Sequence, residues 1–346
     1  CYYKTGEFEK AIPYFQKVTS GNDLLAQNSY FLLADSYVKT NAKRSARTAF
    51  ESAAKMTFDT EIQEESQFNF AKLSNELSYQ SVALEAFRVF LEKFPTSLHV
   101  DEANEMLVGI YTNTRNYKDA LIAIESIKVK TSLVKAAYQK VAFYRGVEFF
   151  MDNKSAEAIQ MFNISLTNPI DAPLAAEANY WKGEAYYRLG DFDKSLKSYN
   201  DFLYTPSAVT GPRHNLVHYN IGYCNFKKED FGAAQVAFRK YIQAKNLTDQ
   251  ERYNDAVLRI ADCFFMMKDQ VNALDYYNQA ISANSRSSDY AIYQKAVILG
   301  IQGKMGEKVN TLQKLFDKYP KSVYYDDALY EAGQASLMQG NHEAAQ

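Results

Sequence analysis

Small and apolar residues return along this chain with a period far longer than one helical turn. A small or equivalent residue recurs every 35 to 39 residues, and an aromatic or aliphatic residue follows most of these positions by four residues. Four residues make one turn of an α-helix, so the two members of each pair share a helical face. The ten aligned positions are Ala11, Ala46, Ala83, Ala120, Ala158, Ser195, Ala234, Ala273, Lys308 and Ala345.

A second column of mostly apolar residues stands nine positions earlier and belongs to a preceding helix. Its members are Tyr2, Tyr37, Ser74, Tyr111, Phe149, Tyr186, Asn225, Phe264, Leu299 and Ser336. A turn separates the two helices, marked by Gly6, Asn41, Asn153, Gly190, Asp230, Gly303 or Gly340. Several copies close with a proline, which cannot continue a helix, at Pro95, Pro169, Pro206 and Pro320. The pattern predicts a repeated unit of helix, turn and helix.

These columns resemble the tetratricopeptide repeat (TPR), whose signature is W-x2-L-G-x2-Y, A-x3-F and P. The small residue three positions before the first-helix aromatic is present, for example as Gly146, Gly183 and Gly222, and predicts close helix approach. Trp181 lies two residues before Gly183, outside the tryptophan column of the family. The resemblance covers all 346 residues. It implies an all-α, right-handed α-solenoid of about ten helix-turn-helix repeats, partial at both ends.

The repeat phase at the two ends predicts that the chain is one continuous solenoid over residues 1–346 and an excerpt of a longer array. Tyr2 falls in the last turn of a first helix, and "GNHEAAQ" stops early within a second helix. A natural array end would normally carry a polar capping helix.

Composition excludes two classes of partner. The formal net charge is −2, and Lys and Arg are scattered, so no basic stripe is available to neutralise phosphates and no nucleic acid is expected. The longest apolar runs, such as "AVILGI", are far shorter than the roughly 20 residues that cross a bilayer, so no membrane span is expected. The unusual feature is the aromatic content, with 27 Tyr and 22 Phe.

No residue pattern predicts catalysis, a metal or another cofactor. Cys1, Cys224 and Cys263 share one column of the repeat and are expected to be free, buried thiols. His214 and His218 are one turn apart, but no third ligand accompanies them. There is no glycine-rich phosphate loop and no nucleophile elbow. A catalytic solenoid would instead bring titratable groups with displaced pKa values into one cleft.

The resemblance implies that first helices line the inner, concave surface, where the family generally holds peptides. Counting along the first helices, the predicted inner-facing partner-binding residues are Phe143, Phe150, Tyr180, Tyr187, Tyr219, Tyr223, Phe226, Phe265 and Tyr293, with Leu258 among them. Rigid aromatic rings often anchor a partner. The alternative is that about half of them pack between adjacent first helices. Lys182, Arg188, Lys227 and Arg259 are predicted to meet an acidic segment or a terminal carboxylate at the edge.

We therefore predict a non-enzymatic scaffold or adaptor that binds a protein or peptide segment in its concave groove. The junctions "LEKFPTSLHVDEA" and "FDKYPKSVYYDDALYEAG" resemble those of TolA-binding and outer-membrane-assembly lipoproteins, which implies a periplasmic or cell-envelope location in a bacterium. The alternative is an architectural spacer or sensor arm whose active domain lies outside this stretch. The connection "TPSAVTGPRHN" at 205–215 is a spacer or a binding loop.

Overall fold

A computed structural model describes residues 2–209, 211–244, 247–343 and 345 of the chain. Within these residues every regular element is helical, and no strand occurs. The chain divides into two units, Cys1–Leu174 and Ala175–Gln346. The prediction of an all-helical repeat fold is confirmed.

In the first unit, helix α1 is the second helix of the first copy, and four helix hairpins follow it. The helices are α1 (Phe8–Gln16), α2 (Leu24–Lys39), α3 (Lys43–Lys55), α4 (Thr60–Glu76), α5 (Gln80–Lys93), α6 (Val100–Asn113), α7 (Tyr117–Ser126), α8 (Ser132–Met151) and α9 (Ser155–Thr167). Each helix packs on the next, and the first helices α2, α4, α6 and α8 also contact one another in order.

The second unit continues the same alternation with four hairpins and one further first helix. The helices are α10 (Ala172–Arg188), α11 (Phe192–Tyr204), α12 (His214–Lys227), α13 (Phe231–Ile242), α14 (Gln250–Met266), α15 (Gln270–Ser282), α16 (Ser288–Ile301), α17 (Met305–Lys318) and α18 (Tyr325–Met338). First helices thus carry even numbers, and second helices carry odd numbers.

The seam of each hairpin is a small residue facing a ring, as the repeat columns predict. A Cβ placed on Gly146, Gly183 or Gly222 would lie 2.6 Å from the ring of the aligned residue on the second helix. Real Cβ contacts do not come so close, so the backbone of the first helix rests directly on that ring. The aligned rings Phe162, Tyr199 and Phe238 are fully buried. The core of each unit is built from these seams.

The turns inside the hairpins use a left-handed residue, which is glycine in only some copies. Gly190 has φ +76°, and Glu229 and Lys268 adopt φ values of 62° and 63° at the equivalent positions. The prediction that Asp230 marks its turn is off by one residue, because Glu229 makes the left-handed step. Asp230 instead caps α13 by accepting the Ala233 N–H.

The predicted proline stops are confirmed, since Pro95, Pro169, Pro206 and Pro320 all follow the end of a helix. In the long connection, Pro206–Ala208 form a short 3-10 helix with Ala208 buried. Thr210 of that connection lies outside the described residues.

The two cysteines that the structure describes are free and buried, as predicted from their shared column. Cys224 lies 3.3 Å from the Ser195 hydroxyl, and burial raises the pKa of Cys224 to about 11 and that of Cys263 to about 12. Both thiols are therefore protonated near neutral pH. The same prediction for Cys1 falls outside the described residues. None of the helices in the described ranges is long and apolar enough to cross a membrane.

Candidate partner-binding site

Tyrosines and carboxylates alternate across the first helices of the second unit. Glu184 on α10, Tyr223 on α12 and Asp262 on α14 occupy the same repeat position, and each lies one residue after the small residue of its helix. The carboxylates on this face accept hydrogen bonds from tyrosine hydroxyls on neighbouring helices. The candidate site is built from three such groups.

Glu184 is the centre of the first group. Its carboxylate accepts a hydrogen bond of 2.6 Å from the Tyr199 hydroxyl on α11 and one of 2.5 Å from the Asn220 amide on α12. Burial raises the pKa of Glu184, although hydrogen bonds with the Tyr199 and Tyr180 hydroxyls and the charges of Arg188 and Arg213 act in the opposite direction. Desolvation is therefore the dominant influence on this carboxylate.

Tyr180 borders this group and packs against Arg213, the residue that precedes α12. The Arg213 guanidinium lies 4.5 Å from the Tyr180 ring centroid and 5.0 Å from that of Trp181. The Nε of Arg213 donates to both oxygens of Glu177, the nearer at 2.8 Å. Burial raises the pKa of Tyr180 to about 12. Arg213 is thus held by an ion pair and two aromatic faces.

Asp255 on α14 is the centre of the second group and ties α14 to α12. It accepts hydrogen bonds from the hydroxyls of Tyr219, at 2.8 Å, and Tyr223, at 2.5 Å. Burial and this carboxylate raise the pKa of both tyrosines, so both stay protonated. The two rings meet edge to face with centroids 5.0 Å apart. One carboxylate therefore fixes the orientation of two rings.

Asp262 is the centre of the third group and is itself buried. It accepts from the Tyr277 hydroxyl at 2.7 Å, the Tyr290 hydroxyl at 3.1 Å and Nη1 of Arg259 at 2.6 Å. Burial raises the pKa of Asp262, and Arg259 is the largest influence in the opposite direction. The carboxylate of this buried ion pair is satisfied by neutral hydroxyls on α15 and α16.

Two cavities open beside these groups. The smaller, of about 180 Å³, is lined by Glu184, Tyr187, Tyr199, Tyr219, Asn220 and Tyr223. The larger, of about 450 Å³, is lined by Tyr219, Asp249, Glu251, Arg252, Asn254, Asp255, Ser285, Arg286 and Ser287. Tyr219 belongs to both, so a small aromatic cavity and a wider polar cavity adjoin at one ring.

The structure buries three of the nine aromatic residues predicted to bind a partner. Phe143 packs against the Phe162 ring at 6.1 Å, and Tyr180 packs against Phe202 at 6.0 Å. Phe150 is also buried. Both ring contacts are made with the second helix of the same hairpin, so Phe143 and Tyr180 pack within a hairpin and not, as the alternative has it, between adjacent first helices. The three buried rings offer no surface to a partner.

The other six predicted residues are partly exposed, and all belong to the second unit. They are Tyr187, Tyr219, Tyr223, Phe226, Phe265 and Tyr293. Tyr187, Tyr219 and Tyr223 line the small cavity together. Phe226 packs edge to face on Phe231, and Tyr293 stacks on Tyr324 with centroids 5.5 Å apart. Leu258, predicted with them, is buried.

Arg259 does not serve the acidic partner that its sequence position predicts. Its guanidinium pairs with Asp262 and lies 3.5 Å from Asp255, so its charge is already neutralised within the chain. Lys227, at the end of α12, is exposed. Burial lowers the pKa of Lys182. The cations on this face therefore differ widely in their environments.

The carboxylates of the site were missed by the sequence reasoning, although a signal for two of them exists. Tyr199 and Tyr277 occupy the seam position where most copies have Phe, and each donates to a carboxylate 15 residues earlier in the chain. A buried carboxylate needs donors, and a seam hydroxyl supplies one. Tyrosine at the seam with an acidic residue 15 positions earlier would have identified Glu184 and Asp262.

Several titratable groups around the small cavity have displaced pKa values, which is the criterion given above for a catalytic cleft. The direction of the tyrosine shifts does not favour catalysis. The tyrosine pKa values move upward, away from neutrality, because each hydroxyl donates to a carboxylate or is desolvated. Such hydroxyls do not exchange protons readily near pH 7. Networks that serve structure also displace pKa values. The arrangement holds rings and carboxylates in place.

The histidine pair of α12 does not form part of a larger ligand set. The rings of His214 and His218 lie edge to face with centroids 5.6 Å apart, and burial lowers the pKa of His218. Within the described part of the chain, no three His, Cys, Asp or Glu residues are grouped as metal ligands.

Two segments of the chain match family models described as tetratricopeptide repeat, over residues 145–208 and 255–287. The second segment includes Asp255, Arg259 and Asp262. These matches support the repeat resemblance, and neither model describes a catalytic family. No curated protein matches the chain significantly.

Solved structures with similar folds include several tetratricopeptide repeat proteins. One similar structure is a signal transduction ATPase with numerous domains from Pyrococcus horikoshii, which has a tetratricopeptide repeat sensor. It matches with a TM-score of 0.50 and 12% identity, over 92% of this chain and 50% of that chain. MamA from Desulfovibrio magneticus matches with a TM-score of 0.44 and 11% identity over 54% of this chain and 97% of that one. PilF from Pseudomonas aeruginosa matches with a TM-score of 0.41 and 14% identity over 66% of this chain and 95% of that one. At these identities the likeness concerns the fold alone.

Proposed function

We propose that the chain is a non-enzymatic protein-interaction scaffold that binds a peptide or protein segment on the tyrosine-lined face of its second unit. The observation that carries the proposal is the set of partly exposed rings on successive first helices, three of which line one cavity. Tyrosine is enriched where proteins bind one another, because its ring is rigid and its hydroxyl can form hydrogen bonds.

The rings of this face are pre-organised. The Asp255 carboxylate holds the hydroxyls of Tyr219 and Tyr223, so neither ring must be ordered when a partner arrives. Side-chain ordering costs about 0.5 to 1.5 kcal/mol per residue in a typical interface, and fixed rings avoid much of that cost. The face is therefore suited to binding with few further adjustments.

Site-specific photocrosslinking tests this proposal. A photoreactive phenylalanine analogue replaces Tyr187, Phe226 or Phe265 on first helices, with Val236 on α13 and Val271 on α15 as exposed controls on second helices. We expect one defined partner to be captured from at least two of the three first-helix positions and from neither control. Equal capture at all five positions, or none at the first-helix positions, would contradict the proposal.

The architectural alternative is favoured for the first unit by a specific observation. There, polar groups on the first helices pair between copies: Lys72 with Glu102 at 2.7 Å, and His99 with Glu65 at 2.9 Å. Side chains whose charges and hydrogen bonds are used within the chain are less available to bind a partner. We propose that the first unit is an architectural spacer. Deleting residues 1–174 should then leave partner capture unchanged, provided that circular dichroism shows the remainder to be helical.

The envelope location and the single continuous solenoid over residues 1–346 stay predictions. The first depends on the two junctions that resemble envelope lipoproteins. Cell fractionation of the organism that produces the chain, with an antibody against it, tests the location.

A further inference from the structure

The small cavity of the second unit is shaped for one side chain. Its volume of about 180 Å³ is below the roughly 300 to 1,000 Å³ typical of pockets that hold a drug-sized ligand. It equals only a few water volumes, at about 30 Å³ each. An occupant must therefore be a single projecting group.

Four of the hydrogen-bonding groups that line this cavity already donate within the chain. The Tyr199 hydroxyl donates to Glu184, and those of Tyr219 and Tyr223 donate to Asp255. The Asn220 amide donates to Glu184. What these groups still present is acceptor lone pairs and aromatic faces. Such a lining disfavours an anion and suits a group that brings its own donors.

The charge of the cavity points the same way. The hydrogen bonds described for Glu184 come from the Tyr199 and Tyr180 hydroxyls and the Asn220 amide, all neutral, and burial raises its pKa. Arg213, one of the two arginines that influence it, is paired with Glu177. A cation entering the cavity would offset the desolvation of this carboxylate, and the four tyrosine rings would add cation–π attraction.

We propose that this cavity receives the cationic head of a lysine or arginine side chain of the bound segment, with Glu184 as the counter-charge and Tyr187, Tyr219 and Tyr223 as its aromatic walls. The inference rests on the proposed function and adds the chemistry of the partner, which is a segment with a basic residue at the position facing α10 and α12.

Titration of the full chain with blocked amino acids tests the proposal. The chain carries ¹³C-labelled tyrosine rings, and the probes are N-acetyl-lysine-N-methylamide, its arginine counterpart, the neutral norleucine counterpart and the acidic glutamate counterpart. We expect a cationic probe to shift the ring signals of Tyr187, Tyr219 and Tyr223 saturably, and the norleucine and glutamate probes to leave them unshifted. The arginine and lysine probes distinguish the two possible heads.

Variants locate the binding. Glu184→Gln keeps an acceptor for Tyr199 but removes the charge, and Tyr187→Leu removes a wall; each should weaken the cationic probe about tenfold. The matched control Glu229→Gln, at an exposed turn, should not change the affinity. Thermal melting followed by circular dichroism shows whether each variant is folded. The contrast between lysine and norleucine probes on the unaltered chain needs no variant.

Equal shifts with the norleucine probe, stronger binding of the glutamate probe, or full affinity in a folded Glu184→Gln variant would each overturn the inference. Its failure is separable from failure of the proposed function. Crosslinking at Phe265 without a response to cationic probes would retain the scaffold and remove the cation site. A response to cationic probes without any captured partner would retain the cation site and contradict the scaffold function.

Discussion

The first helices of the two units share a backbone pattern, but several of their acidic side chains have different hydrogen-bond partners. In the first unit, Glu102 and Glu65 are paired with Lys72 and His99, and all four side chains are at least partly exposed. In the second unit, Glu184, Asp255 and Asp262 are held mainly by neutral hydroxyls and amides, with Arg259 as the cation of the network.

The difference shows that the same repeat geometry can carry a face whose polar groups pair with each other or a face that leaves aromatic rings available to a partner. Surface ion pairs between side chains contribute little and leave few groups unsatisfied. Tyrosine donors instead leave rings at the surface and a carboxylate short of positive charge. The first unit also contains the second pattern, since Tyr3 donates to Asp35 at 2.7 Å and Tyr138 donates to Glu125 at 3.3 Å. The two units therefore differ in how often each pattern occurs, and matched substitutions in the two units test that difference.

The largest expected effect comes from removing a buried partner in the second unit. Asp262→Asn removes the nearer counter-ion of Arg259, leaves it only Asp255 at 3.5 Å, and should lower the free energy of unfolding by up to about 3 to 5 kcal/mol. The matched change Glu102→Gln in the first unit breaks an exposed pair and should cost about 0 to 1 kcal/mol. Urea titration followed by circular dichroism measures both. Equal costs would remove the distinction between the units.

The next effect concerns close backbone approach at the seams. Gly183→Ala places a Cβ 2.6 Å from the Tyr199 ring and should destabilise the chain by about 1 to 3 kcal/mol through overpacking. Gly109, inside α6 of the first unit, has open space at its Cβ. Gly109→Ala should therefore stabilise the chain by up to about 1 kcal/mol, because alanine favours helix. Shifts of the same sign in thermal melts would contradict this account.

Removing a single seam hydroxyl should have a smaller effect. Tyr277→Phe takes one donor from buried Asp262 while Tyr290 and Arg259 remain, and we expect a loss of about 1 to 2 kcal/mol. Tyr138, whose hydroxyl donates to Glu125 at 3.3 Å in an exposed position, is the control from the first unit. Tyr138→Phe should change stability by less than about 0.5 kcal/mol. Urea midpoints decide between these values.

The smallest expected effect is the pH dependence contributed by Glu184. Its pKa is raised in the folded chain by burial, so the folded state binds the proton more tightly than the unfolded state does. The resulting stabilisation is present below the unfolded pKa and is lost as pH rises through the folded pKa.

The charged and titratable groups that act on Glu184 are Tyr180 and Arg188 on its own helix, Tyr199 on α11 and Arg213 before α12. We expect the melting temperature of the unaltered chain to rise relative to that of Glu184→Gln as pH falls from 7 towards 5. A difference that stays constant over this range, or that changes in the opposite direction, would contradict the raised pKa. Melting curves recorded at several pH values provide the measurement.

The fold could be predicted from the sequence because its determinants are periodic. A glycine or alanine facing a ring, such as Gly222 facing Phe238, leaves the same signature in each copy, and stacking follows from the need to bury that face. The left-handed turns at Glu229 and Lys268 were harder to predict, because a charged residue at positive φ carries no compositional signal.

The site could be predicted only in part. The repeat phase identifies which aromatic residues lie on first helices, but exposure depends on how the neighbouring helices cover each position. Phe143 is buried and Tyr219 is partly exposed, although both hold the same repeat position. The donor relations of Asp255 arise between copies and depend on the three-dimensional register of α12 and α14.

The two hydrogen bonds that Asp255 accepts from Tyr219 and Tyr223 also have a mechanical consequence. Repeat stacks stretch and twist like springs when pulled, because each copy contacts only its neighbours. Sliding α14 along α12 would have to rupture both bonds to one carboxylate together, whereas a single bond could yield alone. This joint should therefore resist sliding more than a joint held by a single hydrogen bond, which would help to keep the tyrosine cavity intact under tension.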